Sequence, residues 1–465
     1  MKYLPSKLPP LIFALLQIQT YSTNVDAVKR NEEALSSKPN ILLILADDVG
    51  TGDIPYYWKT SSKVSMPNLD RLSSMGVTFM DAHSTPLCAP SRYMLLSGNY
   101  AHRGVAPKGT WTLNNQDKNQ FLPGQRSIAD VLMHDAGYST AMFGKWHLGG
   151  GVPMADGVDA TVKLNKKNIL TSEMHDWSKK IIDGPDDIGF ATSFITTAGI
   201  QASPYAFFRD GYLDIDPSDV VEWSGGDHPM PHGISKILKG KKTGEGDKDW
   251  DSSAYNMILV NETIKFVEDH VDSNPDKPFF AYVALGAVHT PHSPPYKYLD
   301  GEDVAGVYSD THLDMLYEMD KVVGSLVTLI EDQGLQEDTM IIFASDNGGL
   351  AGREGTPTSK GHDSSGDLRG EKSSIYEGGH RIPMIIRHDG FIPQNEERSH
   401  LVGLNDLYAT ICDLVGVDVP SFSAQDSISF AGYLASGDRT DGLREELATF
   451  AFTKFQGFSV SSCLQ

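Results

Sequence analysis

The sequence predicts an α/β fold, a sheet covered by helices on both faces, and three observations carry that reading. Asn40–Ala46 is a nearly continuous apolar run bounded by polar residues, the pattern of a strand buried on both sides. Four further short apolar runs follow at Tyr138–Phe143, Phe279–Leu285, Met340–Ala344 and Pro383–Ile386. Between several of them lie stretches with helical spacing, Ser127–Asp135, Ala254–Val271 and His312–Asp332. The last two carry apolar residues three and four apart on a charged surface. Alternation of this kind belongs to α/β architectures.

The remaining chain is read in the same terms. Gly225–Asp251 is rich in Gly, Lys and Asp and is expected to be a long surface loop. Ser399–Val415 reads as a helix with Leu401, Leu404, Leu407, Ile411 and Leu414 on one face. After Gly432 the periodicity fades, and Ala448–Gln465 has no evident partner element. At the other end, Lys2 and Lys7 precede a short apolar core, Leu11–Ile18, with small residues near Thr20–Ser22 or Val25–Ala27. This predicts an export signal over residues 1–27 and a secreted or lumenal protein, although Pro5, Pro9 and Pro10 also fit a disordered leader. The apolar core is too short to cross a bilayer, and no later stretch predicts a transmembrane segment.

Composition narrows the function classes. The chain has 465 residues, with 39 Lys+Arg against 61 Asp+Glu and a formal net charge of −22. That balance excludes a nucleic-acid binder, which needs a basic stripe to displace phosphate counterions. An anionic substrate would require a locally basic pocket. Apolar content of 40% supports a sizeable core. Three cysteines form at most one disulfide and leave a thiol over.

Polar clusters follow four of the predicted strands: Asp47-Asp48, Gly144-Lys145-Trp146-His147, Val288-His289-Thr290-Pro291-His292 and Ser345-Asp346-Asn347-Gly348-Gly349. Ligands of open α/β sheets sit beyond the carboxyl ends of the strands, so the four would converge on one edge. Asp47, Asp48, Asp346 and Asn347 offer oxygen only, the donor set of calcium or magnesium rather than zinc. Each pair alone also fits a helix cap or a turn. Lys145 and His147, two apart, would face the same way in an extended segment as a cation and a base, or form a solvated surface pair. His289 and His292 flank Pro291 and also suit an ordinary loop. Cys88 stands between a Pro-containing turn and a helix start, a setting that exposes and acidifies a thiol; the competing reading is a buried small cysteine.

Cys88-Ala89-Pro90-Ser91-Arg92, followed by Leu96-Ser97-Gly98, resembles the C-x-P-S-R signature of the formylglycine-dependent sulfatases. The resemblance runs from about Pro39 to Pro420 and takes in the four clusters. It also includes Gly370-Glu371-Lys372 and Glu377-Gly378-Gly379-His380-Arg381-Ile382-Pro383. It implies a large mixed, mostly parallel sheet of the alkaline-phosphatase-like kind, a catalytic domain over 38–420 and an incomplete small C-terminal domain or aberrant tail over 421–465. It also implies that Cys88 is oxidised to formylglycine by the formylglycine-generating enzyme, with Pro90 and Arg92 recognised, and that the hydrated aldehyde attacks the sulfur of a sulfate ester. On the same grounds one calcium ion would be held by Asp47, Asp48, Asp346, Asn347 and the modified Cys88. Arg92 would steady the hydrate, and Lys145 and Lys372 would bind sulfate oxygens. His289 would protonate the leaving alcohol, and His147 would take the proton whose loss expels sulfate.

The substrate class implied is a sulfated small molecule or carbohydrate. A phosphonate or phosphodiester hydrolase of the same superfamily, or an inactive carbohydrate-binding relative, are the alternatives. Zinc phosphatases fit less well, because they favour an Asp-His pair where this chain has Asp346-Asn347. His175, Trp223, His228 and His232 fit either a sugar subsite or plain surface positions. Cys412 lies on the apolar face of its helix and is expected in the core.

Overall fold

The computed structural model describes residues 38–464 except 60–61, 107–117, 159–171, 224–243, 309, 351–360 and 454–458. The expected export signal, His228 and His232 lie outside the described residues. Strands β1 (Asn40–Ala46), β2 (Val77–His83), β3 (Ser139–Lys145) and β4 (Thr192–Thr196) are followed by the short β5 (Phe208–Arg209) and β6 (Tyr212–Leu213). After β7 (Val220–Trp223) and β8 (Gly244–Asp247) come β9 (Phe279–Ala284), β10 (Thr339–Ser345), β11 (Arg381–Arg387), β12 (Glu396–Arg398) and β13 (Val402–Gly403). The helices are α1 (Pro67–Ser74), α2 (Cys88–Ser97), α3 (Ile128–His134), α4 (Tyr255–Ser273), α5 (Thr311–Asp332), α6 (Glu377–His380), α7 (Asp406–Val415) and α8 (Ala431–Ala435).

Eleven strands form one sheet in the order β12-β2-β11-β10-β1-β9-β3-β4-β5-β6, with β13 also on β2. The apolar run of β1 occupies the centre, parallel to β10 on one side and β9 on the other. Strands β3 and β4 extend the parallel set. β11 runs antiparallel to both β10 and β2, so β2 points the same way as β1. The carboxyl ends of β1, β2, β3, β9 and β10 therefore share one edge, as does the amino end of β11.

Alternation along β1 divides the core. Ile41, Leu43 and Leu45 join Tyr93 and Leu96 of α2, Leu132 of α3 and Ile411 of α7 in one cluster. Leu42, Ile44 and Ala46 join Leu69 of α1, Leu259 of α4 and Leu316 and Val323 of α5 in the other. Both faces of a parallel strand are covered, which explains the unbroken apolar run. Ser127 accepts a hydrogen bond from the Asp130 amide at the start of α3, and Asp310 one from the His312 amide at the start of α5; both are N-caps.

Two sequence readings are corrected. The helix expected from Ser399 begins at Asp406, because Val402–Gly403 pairs with β2 instead. The Asp406 carboxylate accepts the Gly403 amide at 2.7 Å and closes that turn. Tertiary pairing has overridden the helical spacing of Leu401 and Leu404. Within the expected loop Gly225–Asp251, Gly244–Asp247 is a strand, antiparallel to β7. Ala448–Thr453 and Ser459–Leu464 pair with each other as an antiparallel hairpin. Cys412 is buried in the core as expected.

Candidate active site

Each strand end delivers its polar cluster to the shared edge. Gly144, with φ +100°, is needed just before Lys145, since a Cβ there would collide with the Ala284 carbonyl oxygen of β9. The loop after β9 is stitched to β1: the Asp47 amide donates to Ala287 O at 2.8 Å and the Val288 amide to Asp47 O at 2.6 Å. That pairing brings His289 over the two aspartates. On the other side, the Ser373 amide donates to Pro86 O at 2.8 Å and draws Lys372 toward Cys88.

Asp47, Asp48, Asp346 and Asn347 are all buried. Asp47 Oδ2 accepts Lys145 Nζ at 2.5 Å, with Arg92 Nη2 at 3.6 Å. Asp48 Oδ1 accepts Asn347 Nδ2 at 2.8 Å and is paired with Lys372 Nζ. Asp346 Oδ2 accepts Arg92 Nη2 at 2.7 Å, and Asp346 Oδ1 accepts the Asp48 amide at 3.2 Å. What remains is telling: Asp47 Oδ1, Asp48 Oδ2 and Asn347 Oδ1 are buried with no hydrogen-bond partner among the described residues. Buried oxygens normally find a donor, so three such orphans in one cluster fit a hard divalent cation.

Burial works against ionising Asp47 and Asp48. For Asp47, Lys145, His289 and Arg92 outweigh it; for Asp48, Lys372 and His289 do so, and both carboxyls stay below the usual range. Burial and the neighbouring Asp47 charge push Asp346 upward.

Cys88 opens α2, so the positive end of that helix meets the cluster. Its Sγ lies 3.1 Å from Lys372 Nζ and 3.9 Å from Asp48 Oδ1. The expectation of an exposed, acidified thiol is not met: Cys88 is buried, and burial pushes its thiol up to about 12 despite Lys145 and Lys372. A cysteine in this state is a poor thiolate nucleophile.

Arg92 is fully buried, its guanidinium spanning Asp346 and the Lys145 carbonyl at 3.1 Å. His147 reaches the site differently from the expected strand alternation, for its φ of +54° takes it out of the extended run. Its Nδ1 is buried without a hydrogen-bond partner, and burial, Lys145 and Arg92 hold the ring neutral. His289 Nδ1 contacts Thr290 O at 2.6 Å, which fixes the proton there and turns Nε2 toward Asp48 Oδ2 at 3.6 Å. Burial lowers its pKa to about 4.

The structure thus brings together Asp47, Asp48, Cys88, Arg92, Lys145, His147, His289, Asp346, Asn347 and Lys372. His292 is not among the groups that contact Cys88 or the aspartates; it is buried with its ring centroid 4.9 Å from that of His312. His175 is buried against Glu245 at 3.1 Å rather than on the surface, and Trp223 donates to Asp247 O at 3.0 Å within its hairpin. Sequence reasoning missed the support of the His289 loop. Asn256 Oδ1 accepts the Gly286 amide at 3.0 Å, and Asn256 Nδ2 donates to Glu318 Oε1 at 3.1 Å. The available signal was a polar pair on the buried faces of two amphipathic helices.

The sulfatase family model matches residues 39–417. The chain is 29% identical over 445 residues to an N-acetylgalactosamine-6-O-sulfatase of Bacteroides thetaiotaomicron, covering 89% of this chain and 80% of that one. It is 29% identical over 414 residues to the dog N-acetylgalactosamine-6-sulfatase, covering 87% of this chain and 67% of that one. A solved Bacteroides thetaiotaomicron structure, described under the metabolism of multiple glycosaminoglycans, superposes with a TM-score of 0.73 at 28% identity, covering 89% of this chain and 85% of that one. The eleven-stranded mixed sheet is the alkaline-phosphatase-like fold of these proteins. The chain belongs to the sulfatase family and is a sulfuric ester hydrolase.

Proposed function

We propose that the protein hydrolyses sulfate esters of carbohydrates through a formylglycine made from Cys88, with one calcium ion in the adjoining oxygen cluster. The observation that carries the reading is the placement of Cys88 Sγ, buried, at the head of a helix, 3.1 Å from Lys372 Nζ and beside three unpartnered oxygens. A thiol held protonated by burial is a poor nucleophile there, whereas the hydrate of an aldehyde at the same carbon would carry nucleophilic hydroxyls. Hydrated, that aldehyde supplies one hydroxyl to attack sulfur and a second whose deprotonation releases sulfate.

The chain's own residues then take distinct tasks. Asp47, Asp48, Asp346 and Asn347 would hold the calcium ion, which would supply polarisation of the sulfate oxygens. Lys145 and Lys372 receive sulfate oxygens and absorb the charge that develops on them. Arg92 keeps Asp346 ionised and oriented. His147, neutral with a free Nδ1, accepts a proton. His289 presents a bare Nε2 to the site beside Asp48, and it would donate to the leaving alcohol only after taking up a proton there.

The names of the relatives support a sulfated N-acetylgalactosamine unit as the substrate to test first. Maturation by the formylglycine-generating enzyme and passage through the secretory route belong to the same proposal; no described helix is long and apolar enough to cross a membrane. The deciding experiment is mass spectrometry of the tryptic peptide Leu72–Arg92 from a host that carries the modifying enzyme. Aldehyde or hydrate at Cys88, together with sulfate release from 6-O-sulfated N-acetylgalactosamine, is the expected result. Unmodified cysteine from a host that converts a control sulfatase would overturn the proposal.

A further inference from the structure

A second group of metal-capable side chains lies where β2 ends and β11 begins. His83 closes β2 and His380 closes the short α6, each about 1% exposed. Their outer nitrogens already have acceptors: His83 Nε2 meets Asp81 Oδ1 at 2.8 Å, and His380 Nε2 meets Ile375 O at 3.2 Å. Both acceptors require a proton on the ring nitrogen. Two neutral rings are then left with bare lone pairs at their Nδ1 atoms, and those atoms face each other at 2.9 Å. Facing lone pairs at that distance repel, so a positive centre belongs between them.

A proton would serve, but it would leave the third member of the group without a task. Glu377, three residues before His380, has a carboxylate oxygen that lies within 4.8 Å of a ring nitrogen of each histidine. Among the described residues neither of its buried oxygens has a hydrogen-bond partner, and Oε2 forms an ion pair with Arg381 Nε at 2.8 Å. Arg381 also pairs with Asp81, so it braces the carboxylate behind one histidine and the carboxylate in front of both. Metal-bound histidines characteristically give their other ring N–H to a carboxylate or a backbone carbonyl, as both do here.

We propose that His83, Glu377 and His380 form a second metal site, separate from the oxygen cluster at Asp47, that takes a nitrogen-preferring divalent ion, with zinc the best match. Two imidazoles and a carboxylate suit zinc, whereas the Asp47 cluster suits a hard cation. Zinc–nitrogen bonds in a tetrahedral arrangement place two nitrogens about 3.3 Å apart, so the rings need to part only slightly. The ion is a fastener rather than a reactant. It would tie the end of β2, which leads through Ser84–Leu87 to Cys88, to the segment that carries Lys372. Those segments already share the Ser84 amide to His380 O bond at 2.8 Å and the Ser373 amide to Pro86 O bond. A third group, Asp53, His312 and His362, is weaker, because both His362 nitrogens are engaged, Nδ1 with the Lys63 amide at 3.2 Å and Nε2 with Asp53 at 2.7 Å.

The test uses the full chain purified without a metal-affinity tag, stripped with a chelator, and dialysed against zinc in the presence of excess calcium. The wild type should then retain one zinc per chain by elemental mass spectrometry, and its thermal midpoint should rise with zinc. Glu377→Gln and His380→Asn should lose the zinc while keeping their calcium. Should His380→Asn fail to fold, Glu377→Gln and the X-ray absorption fine structure of the wild-type zinc, expected to show two imidazoles, decide the matter. A wild type that holds no zinc after this treatment overturns the proposal. So does zinc retained by both variants, which would place the ion elsewhere.

Discussion

Glu318 should make the protein less stable as pH rises, and Glu318→Gln should remove that dependence. The side chain is fully buried in α5; Oε1 accepts one hydrogen bond from Asn256 and Oε2 has none. Burial raises its carboxyl from 4.5 to about 8. The folded state therefore keeps a proton that the unfolded chain releases. Below the unfolded pKa both states are protonated and the group contributes nothing. As pH climbs from there toward the folded pKa, stability falls by up to about 1.4 kcal/mol per unit. Between pH 4.5 and neutrality the loss amounts to roughly 3 kcal/mol.

Glutamine keeps the acceptor for Asn256 but places an amide where Oε2 has no partner, a pH-independent penalty of about 1–3 kcal/mol. The absolute difference between the two proteins can thus take either sign. Its slope cannot: the variant must gain on the wild type by about 3 kcal/mol from mildly acidic to neutral pH. Urea unfolding of both proteins across that range, at constant calcium, reads the slope through the midpoints. A difference that stays constant with pH would refute the reasoning.

Four other outcomes follow from the site. Cys88→Ser should fold and lose steady turnover by about 10⁴-fold or more in a sulfate-release assay, because one hydroxyl can be sulfated but nothing drives release. Lys145→Met should lower kcat/KM by about 10²–10³-fold, and arginine should not restore it, since the ammonium sits in a fully buried pocket against Asp47. Chelation should abolish sulfate release and lower the thermal midpoint; calcium at about a hundred times its dissociation constant should restore roughly 2.7 kcal/mol of stability. Asn256→Ala strips the Gly286 amide and Glu318 of their partner, so kcat should fall by about tenfold with little change in KM if the His289 loop shifts, as steady-state kinetics would show.

Much of this was legible in the sequence because strand ends carry the chemistry. The unbroken run Asn40–Ala46 marks a strand covered on both faces, and its parallel neighbours had to open on the same edge as Asp47 and Asp48. What escaped reading depends on long-range pairing. β13 is two residues long and exists only because β2 offers it an edge, so the helical spacing of Leu401 and Leu404 misled. The burial of Cys88 escaped for a related reason. Its local setting favours exposure, but Lys372, 284 residues away in sequence, closes over it. The Asn256–Glu318 support was hidden because each residue looks like an ordinary helix polar position until the two helices pack together.

The site also explains how a chain of net charge −22 can act on an anion. Asp47, Asp48 and Asp346 stand against Arg92, Lys145 and Lys372, and the histidines His147 and His289 are held neutral by burial. Those six charges cancel, so the pocket is close to neutral despite the acidic exterior. A divalent cation bound among the unpartnered oxygens, as proposed, would then give the pocket about two positive charges, set in a water-poor interior where they would act strongly. A sulfate monoester brings one negative charge and leaves attraction to spare for the oxygens as the leaving alcohol departs. The lysines contribute twice in this arrangement: with Arg92 they allow the carboxylates to be buried and ionised, and they stand beside Cys88 where the sulfate oxygens would lie. Replacing either lysine by a neutral residue should therefore weaken catalysis and, in the metal-free protein, leave a buried carboxylate with too little compensation. Calcium should narrow that stability gap between lysine variant and wild type, and a gap that calcium leaves unchanged would argue that the lysines and the ion do not share the same carboxylates.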